Sequence, residues 1–341
     1  MAFYRQDPEM ASCLKGILDR FEKEGRPSLQ KNIAITWIRY DNTSPSPSSG
    51  YGTGWNSNKN YYPASIVKIV YALATKIWIK KDLIVDSEEI RRALYEMVAN
   101  SNKSYYPASI VKIVYALATQ IWIKKDLIVD SEELRRALYE MVANSNNDAT
   151  SYILDLLTGT TSGPSLNEQN FKAWKTQRNV INNWLEQLQW PEIKNWNCSQ
   201  KTWNEGPFGR EKDFYGENNE NRNSMTTDGS ARIFESLMTK EMLPKVASEK
   251  LIKNFLRSLD PFIRKQDLNN QVDGFLGEGL PYASKLWSKA GLMSEVRHDV
   301  AWWEAPNKNP MLVAVFTIGE KLVKDRFLLP AIGSELNKLA I

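Results

Sequence analysis

"YYPASIVKIVYALAT" occupies residues 61–75 and returns, letter for letter, at residues 105–119. Pro63 and Pro107 suit the first turn of a helix, which places Ser65 and Ser109 close to a helix N-terminus. Unpaired backbone N–H groups and the positive end of the helix dipole stabilise negative charge there. Lys68 and Lys112 follow three residues after the serines, on the same helical face and within side-chain reach. The apolar residues around the first of them (Ile66, Val67, Ile69, Val70) would bury its amine. Desolvation then lowers the amine's pKa until it can accept a serine proton. On these residues alone the motif is weak, and a core helix with a snorkelling lysine is the better reading.

The repeat is longer than this segment. Residues 56–99 and 100–143 form one 44-residue unit that differs only at Asn60/Ser104, Lys76/Gln120 and Ile90/Leu134. Solenoids stack at least three units and diverge at exposed positions. Two near-identical copies read instead as a tandem duplication, and the tripeptide "NSN" at 56, 100 and 144 marks its boundaries.

Composition narrows the chemistry. The chain has 341 residues, 42% hydrophobic and 25% charged, with a net charge of +4, as expected of a globular protein large enough for one big domain or two lobes. No dense basic run offers a nucleic-acid surface. The most apolar window, 61–79, carries Lys68 and Lys76 and reads as a buried helix, so no membrane span is expected. His298 is the sole histidine, and Cys13 and Cys198 lack metal-ligand spacing. A zinc site is therefore not expected, and a serine–histidine site would rest on His298 alone. In a strand, His298 reads as a packed, hydrogen-bonded residue. Acid–base work falls to lysines and carboxylates. The start, "MAFYRQDPEMASCLKG", lacks a secretory pattern, so the chain reads as cytoplasmic, or as periplasmic or secreted if a leader was removed.

Residues 10–24 place Leu14, Ile17, Leu18 and Phe21 at helical spacing, and "NIAITWIRY" (32–40) reads as a strand. "HDVAWWEA" (298–305) and "MLVAVFTIG" (311–319) read as two strands joined by "PNKNP", with a closing helix after them. Helical patterns fill the middle. The expected fold is α/β of the α+β kind: an antiparallel sheet built from both chain ends (1–60 and 285–341), with flanking helices and an inserted helical lobe (61–284) holding the duplicated unit.

Two later stretches complete the picture. "MVANSNNDATSYILDLL" sets Ser145 and Asn147 at a junction between two helices, where a helix cap is the plain reading. "LWSKAGLMSEVRHDVAWWEAP" sets Lys289 and Gly291 on a strand before the last hairpin. The order Ser-x-x-Lys, Ser-x-Asn, Lys-x-Gly resembles the penicillin-recognising serine enzymes, most closely the class A β-lactamases. "MTTDGSARIFESL" (225–237) is similar to the family's helix after the active-site loop, and the last hairpin is similar as well.

The resemblance implies a serine acyl-enzyme hydrolase with no metal or organic cofactor, acting on a small β-lactam or peptide-like amide. Ser109 or Ser65 would be acylated, with Lys112 or Lys68 accepting its proton. Ser145 would relay a proton to the leaving nitrogen, Asn147 would hold the substrate's amide side chain, and Lys289 would bind the substrate carboxylate and tune Ser145. The backbone N–H groups of the nucleophile and of Leu292, which follows Gly291, would form the oxyanion hole, each donor contributing about 3 kcal/mol in such sites. Copy two runs directly into Ser145, whereas copy one ends in "NSNKS", with Lys103 where the asparagine is needed; this favours Ser109. Ser65, however, follows the first strand directly. Two positions depart from the family pattern. Ala290 stands where a Thr or Ser hydroxyl would bind the substrate carboxylate. The loop "QKTWNEGPFGREKDFYGENNENRN" does not match the usual deacylating loop and leaves Glu211, then Glu205, as its candidates. A D,D-peptidase or other amidase or esterase, and a non-catalytic relative with a spoiled pocket, are the competing readings. The spare copy of the apolar unit must find cover, so either a homodimer through the duplicated segment or a partly occluded site is also expected.

Overall fold

The apolar runs "IAITWIR" and "MLVAVFTI" are continuous rather than alternating, which calls for strands covered on both faces. A computed structural model of the chain describes residues 3–58, 106–203, 206–217, 219 and 221–340 and contains such a sheet. Among these residues its strands are β1 (Arg5–Gln6), β2 (Ile33–Arg39), β3 (Tyr51–Trp55), β4 (Leu256–Arg257), β5 (Lys285–Met293), β6 (Val296–Glu304) and β7 (Met311–Ile318). Their order is β1-β3-β2-β7-β6-β5-β4. The short β1 pairs parallel with β3, and the other described pairings are antiparallel. The helices that matter for the site are α1 (Pro8–Lys23), α2 (Val111–Lys124), α3 (Glu132–Ala143), α4 (Asn147–Thr158), α5 (Glu168–Arg178), α6 (Arg210–Tyr215), α7 (Thr227–Met238) and α8 (Leu328–Lys338).

The sheet is therefore made from both chain ends, as expected, with helices between. The expected strands are present as β2, β6 and β7. β3 was hidden by its glycines. Gly52 passes so close to β2 that an added Cβ would lie 2.7 Å from the carbonyl oxygen of Trp37, so a residue with the usual strand bulk does not fit.

One face of the sheet presents Ile33, Ile35, Trp37, Val313, Val315, Ala301 and Trp303 to a core closed by α1 and α8. Asp7 caps α1, its carboxylate accepting from the backbone N–H groups of Glu9 and Met10, and the helix buries Met10, Leu14, Ile17, Leu18 and Phe21. The opposite face meets α7, which packs on β2 and β7 and is buried from Thr227 to Leu237. Beyond it lies α2, buried on every side from Val111 to Thr119 and packed on α3, α4 and α7. A helix apolar all round belongs in such a position.

Buried Asp228 ties the chain together where the repeated sequence begins. Its carboxylate accepts hydrogen bonds from Thr36 Oγ1 at 2.7 Å, Ser57 Oγ at 2.9 Å and Tyr4 at 3.4 Å. Asn56 Nδ2 donates to the carbonyls of Gln30 and Ile33. One compact unit comprises Met1–Asn58 and Tyr106–Ile341. Copy one beyond Asn58, with Ser65 and Lys68, lies outside the described residues, and so does the expected exchange through it.

Deleting residues 56–99 joins Trp55 to Asn100-Ser101-Asn102, the same tripeptide that now makes the Asn56 and Ser57 anchors. The shortened protein is expected to fold and to melt within about 5 °C of the parent by calorimetry. Failure to fold would make residues 56–99 an integral part of the structure.

Candidate active site

Ser109 sits in a single 3-10 turn, Ala108–Ile110, that leads into α2. Ser109 itself is partly exposed, at the start of a buried helix. Ala108, immediately before it, has φ of +47°, a left-handed conformation that is uncommon for a residue with a Cβ. Strain of this kind, of order 1–3 kcal/mol, is retained where the surroundings enforce it. Here β5 does so. Gly291 lies against the turn, and an added Cβ would stand 2.9 Å from the carbonyl oxygen of Pro107 and 3.3 Å from Cβ of Ala108. The glycine of the Lys-x-Gly box is thus required by close approach to the serine-bearing turn. Leu292 follows on the same strand, its side chain exposed.

Ser145 also has positive φ, +55°. It ends the passage from α3 into α4, and the cap of α4 is its neighbour: Asn146 Oδ1 accepts from the N–H of Ala149 at 2.8 Å. Because Asn146 does the capping, the side chains on either side of it turn to Lys112. The Lys112 amine donates to the carbonyl of Ser145 at 2.5 Å, to Asn147 Oδ1 at 2.8 Å and to Ser145 Oγ at 3.2 Å. Thr202 Oγ1 donates to the same Asn147 oxygen at 2.8 Å. Among the described residues none hydrogen-bonds to Ser109 Oγ. Lys112 is fully buried, and burial pushes its pKa down to about 7.

Lys289, from β5, reaches the other side of the same hydroxyl. Its amine donates to Ser145 Oγ at 2.9 Å, to the carbonyl of Ala290 at 3.0 Å, and to Gln271 Oε1. Burial holds its pKa well below the usual lysine range; the charges of Lys112 and Arg257 push in the same direction, and Asp299 opposes them. Ser145 Oγ is therefore shared by two buried amines. A hydroxyl placed this way can accept from one amine and donate to the lone pair of the other, which is the arrangement a proton relay needs. Ala290 belongs to the apolar core cluster, only 5% exposed, and its N–H donates to Gln271 Oε1.

Glu211 is not brought to this network. It is fully buried on α6, where Oε1 accepts from Arg178 at 2.5 Å and from Ser162 at 2.9 Å, with Lys201 at 3.5 Å. That cluster joins α5, α6, the 201 loop and, through Asp155, α4. Breaking a buried ion pair of this kind is costly, while the second carboxylate oxygen, Oε2, accepts no hydrogen bond among the described residues. Glu205 lies outside the described residues. His298 matches its structural reading. It stacks on Phe316 with ring centroids 4.3 Å apart, accepts at Nδ1 from the N–H of Thr317, and bonds through Nε2 to the carbonyl of Tyr106. Burial pushes its pKa down to about 4. Sequence reasoning missed Thr202 and Gln271, which lie in loops without periodicity or motif.

Among the described residues no three His, Cys, Asp or Glu side chains group to hold a metal ion, and no helix is long and apolar enough to cross a membrane. A mixed sheet flanked by helices, with Ser-x-x-Lys, Ser-x-Asn and Lys-x-Gly boxes meeting beside it, defines the architecture of serine β-lactamases and their relatives. The family model described as the beta-lactamase enzyme family matches residues 129–339, a span that holds Ser145, Asn147 and Lys289. The chain belongs to that family and is a serine hydrolase of β-lactamase type. Solved structures agree on the fold. The β-lactamase from Sphaerobacter thermophilus DSM 20745 is similar at a TM-score of 0.53 and 14% identity, covering 89% of this chain and 92% of that one. A β-lactamase from Burkholderia vietnamiensis is similar at 0.53 and 12%, covering 94% of each chain. PBP-A is similar at 0.53 and 12%, covering 98% of each. No curated protein is similar enough to match.

Gly291→Ala forces β5 and the Ser109 turn apart. Displacements near 1 Å at a reacting group cost about a hundredfold in rate. Acylation by a fluorescent penicillin is expected to fall at least tenfold, while circular dichroism shows a folded protein. An unchanged rate would remove this contact from the site.

Proposed function

We propose that the protein is a serine acyl-enzyme hydrolase of the class A type acting on β-lactam-like amides, with Ser109 as nucleophile. The observation that carries this reading is the Ser145 hydroxyl held between the buried amines of Lys112 and Lys289, beside the Ser109 turn.

In this mechanism Lys112, neutral in part of the population near pH 7, swings from Asn147 Oδ1 to take the proton of Ser109 Oγ. The Ser109 oxygen bonds to the substrate carbonyl carbon, and the backbone N–H groups of Ser109 and Leu292 receive the negative charge on the carbonyl oxygen. When the tetrahedral adduct collapses, the carbon–nitrogen bond breaks. The leaving nitrogen takes its proton from Ser145, and Ser145 recovers one from the Lys112 ammonium, so no net proton is gained or lost. Asn147, once Lys112 has swung away, offers its amide to the substrate. Lys289 hydrogen-bonds the substrate carboxylate and tunes Ser145. Water then hydrolyses the ester of Ser109.

A second reading is a penicillin-binding D,D-peptidase or related amidase. It is favoured by one observation, the engagement of Glu211 Oε1 by Arg178 and Ser162, with no hydrogen bond between Glu211 and Lys112, Ser109 or Ser145 among the described residues. The two readings agree on acylation and differ in how long the acyl-enzyme lasts.

A fluorescent penicillin and a chromogenic cephalosporin separate them. Rapid turnover of the cephalosporin supports the β-lactamase, stable labelling the peptidase, and absence of both a non-catalytic relative. Mass spectrometry of the labelled protein is expected to place the adduct on Ser109; an adduct on Ser65 would give the active role to the other copy. Ser145→Ala is expected to slow acylation about a hundredfold. The sign of the pH dependence comes from Lys112: its depressed pKa makes the amine protonated and inactive below about 7 and competent above it. The acylation rate therefore rises as pH increases through about 7, and a rate that falls through that interval would exclude Lys112 as the base.

A further inference from the structure

The Lys289 amine has a side-chain partner besides Ser145. Gln271, on the loop before β5, is nearly buried and belongs to none of the three boxes. Its Oε1 accepts from both the Lys289 amine and the N–H of Ala290. Its Nε2 donates at 2.7 Å to the carbonyl of Ala143, the last residue of α3 and two before Ser145. One side chain thus joins the strand that carries Lys289 to the helix end that delivers Ser145. The loop itself is held: Asn270 Oδ1 accepts from the N–H groups of Val272 and Asp273, and Val272 lies in the core. Arg257 runs beside it, donating to the carbonyls of Ala143 at 3.0 Å, Val142 at 2.9 Å and Ser288 at 2.9 Å.

The geometry points to Gln271 as the positioning residue that fixes the Lys289 amine against Ser145, and this assignment rests on the acyl-transfer reading given above. The amide is suited to that task in a way a carboxylate is not. It supplies an acceptor without adding a negative charge beside the lysine. The charged groups facing Lys289 are Lys112 from α2, Arg257 from β4 and Asp299 from β6, with Ser145 and Gln271 as neutral partners. Asp299 is fully buried, and burial raises its pKa to about 7, so it is protonated in part near neutral pH. Two cationic side chains and burial therefore favour the neutral amine, and Gln271 leaves that balance in place while fixing where the amine points. A glutamate at 271 would keep the acceptor but pair with Lys289 as a charge.

The test compares Gln271→Glu and Gln271→Met with the parent. Each is titrated by NMR of lysine labelled at Cε, with the Lys289 resonance assigned by its loss in Lys289→Met. In Gln271→Glu, Arg257 still binds Ala143 and Val142, and the Lys289 titration is expected to move up by at least one pH unit. In Gln271→Met the acceptor is gone. There the titration is expected to shift and acylation by the fluorescent penicillin to fall at least tenfold, with a melting curve that still shows a folded protein. An unmoved Lys289 titration in both variants would overturn the assignment, even if acylation fell, because loss of packing alone reduces rate without changing the lysine. A parent protein that no penicillin labels would count against the proposed function instead, and the titration would still decide the role of Gln271.

Discussion

Two lysine amines buried on either side of one serine hydroxyl are the constraint to which the rest of the molecule answers. Burying an ammonium without a counter-charge is unfavourable, so each amine is pushed toward its neutral form. Among the described residues neither Lys112 nor Lys289 has a carboxylate within ion-pair distance. The acceptors around them are carbonyls, amide oxygens and the Ser145 hydroxyl. The same lack of charge compensation that costs stability lets Lys112 take and return protons near neutral pH and holds Lys289 well below the usual lysine range.

Holding three polar side chains from three distant parts of the chain in that state requires rigid walls. α2 supplies Lys112 from a helix with no polar face. β5 supplies Lys289 from a sheet covered by helices on both faces, and the hydrogen bonds of Gln271 and Arg257 fix its distance from the end of α3. The left-handed backbone at Ala108 packs against Gly291, and that at Ser145 is held by the lysine network. Polar clusters elsewhere, such as Arg178 with Glu211 or Asp228 with Thr36 and Ser57, lock loops to the sheet and helices.

The repeat and the site meet at one point of the fold. Asn56 and Ser57 belong to the tripeptide that recurs at the start of each copy, and they anchor the first strand pair to α7. Copy two provides Ser109, Lys112 and the helix that runs on to Ser145. The slot for an apolar helix is filled by a segment whose twin is almost identical: of the positions that differ, Gln120 is partly exposed, and Leu134 exchanges one branched apolar side chain for another. The copies are therefore told apart physically by the residue just downstream of each, Asn147 after one and Lys103 after the other.

The fold was legible in the sequence because its signals are local. Continuous apolar runs at both ends announce a doubly covered sheet, and helical spacing in residues 10–24 announces α1. The three boxes are equally local, since spacing along a helix or strand sets which side chains share a face. The short strands were not legible: β3 is built on glycines that only close packing explains, and β1 and β4 are too short to carry a period. The roles of the acidic residues were not legible either, because loop position does not say which way a carboxylate turns. Glu211, on the short helix α6 within that stretch, turns to Arg178. The burial that lowers the pKa of Lys112 and Lys289 and the bridge made by Gln271 arise from contacts between segments far apart in the chain, and the left-handed backbone at Ser145 from a loop without pattern. Residue types and their spacing determined the chemistry open to this chain. Tertiary packing decided which of those groups share one hydroxyl, since desolvation and close contact exist only once the distant segments have come together.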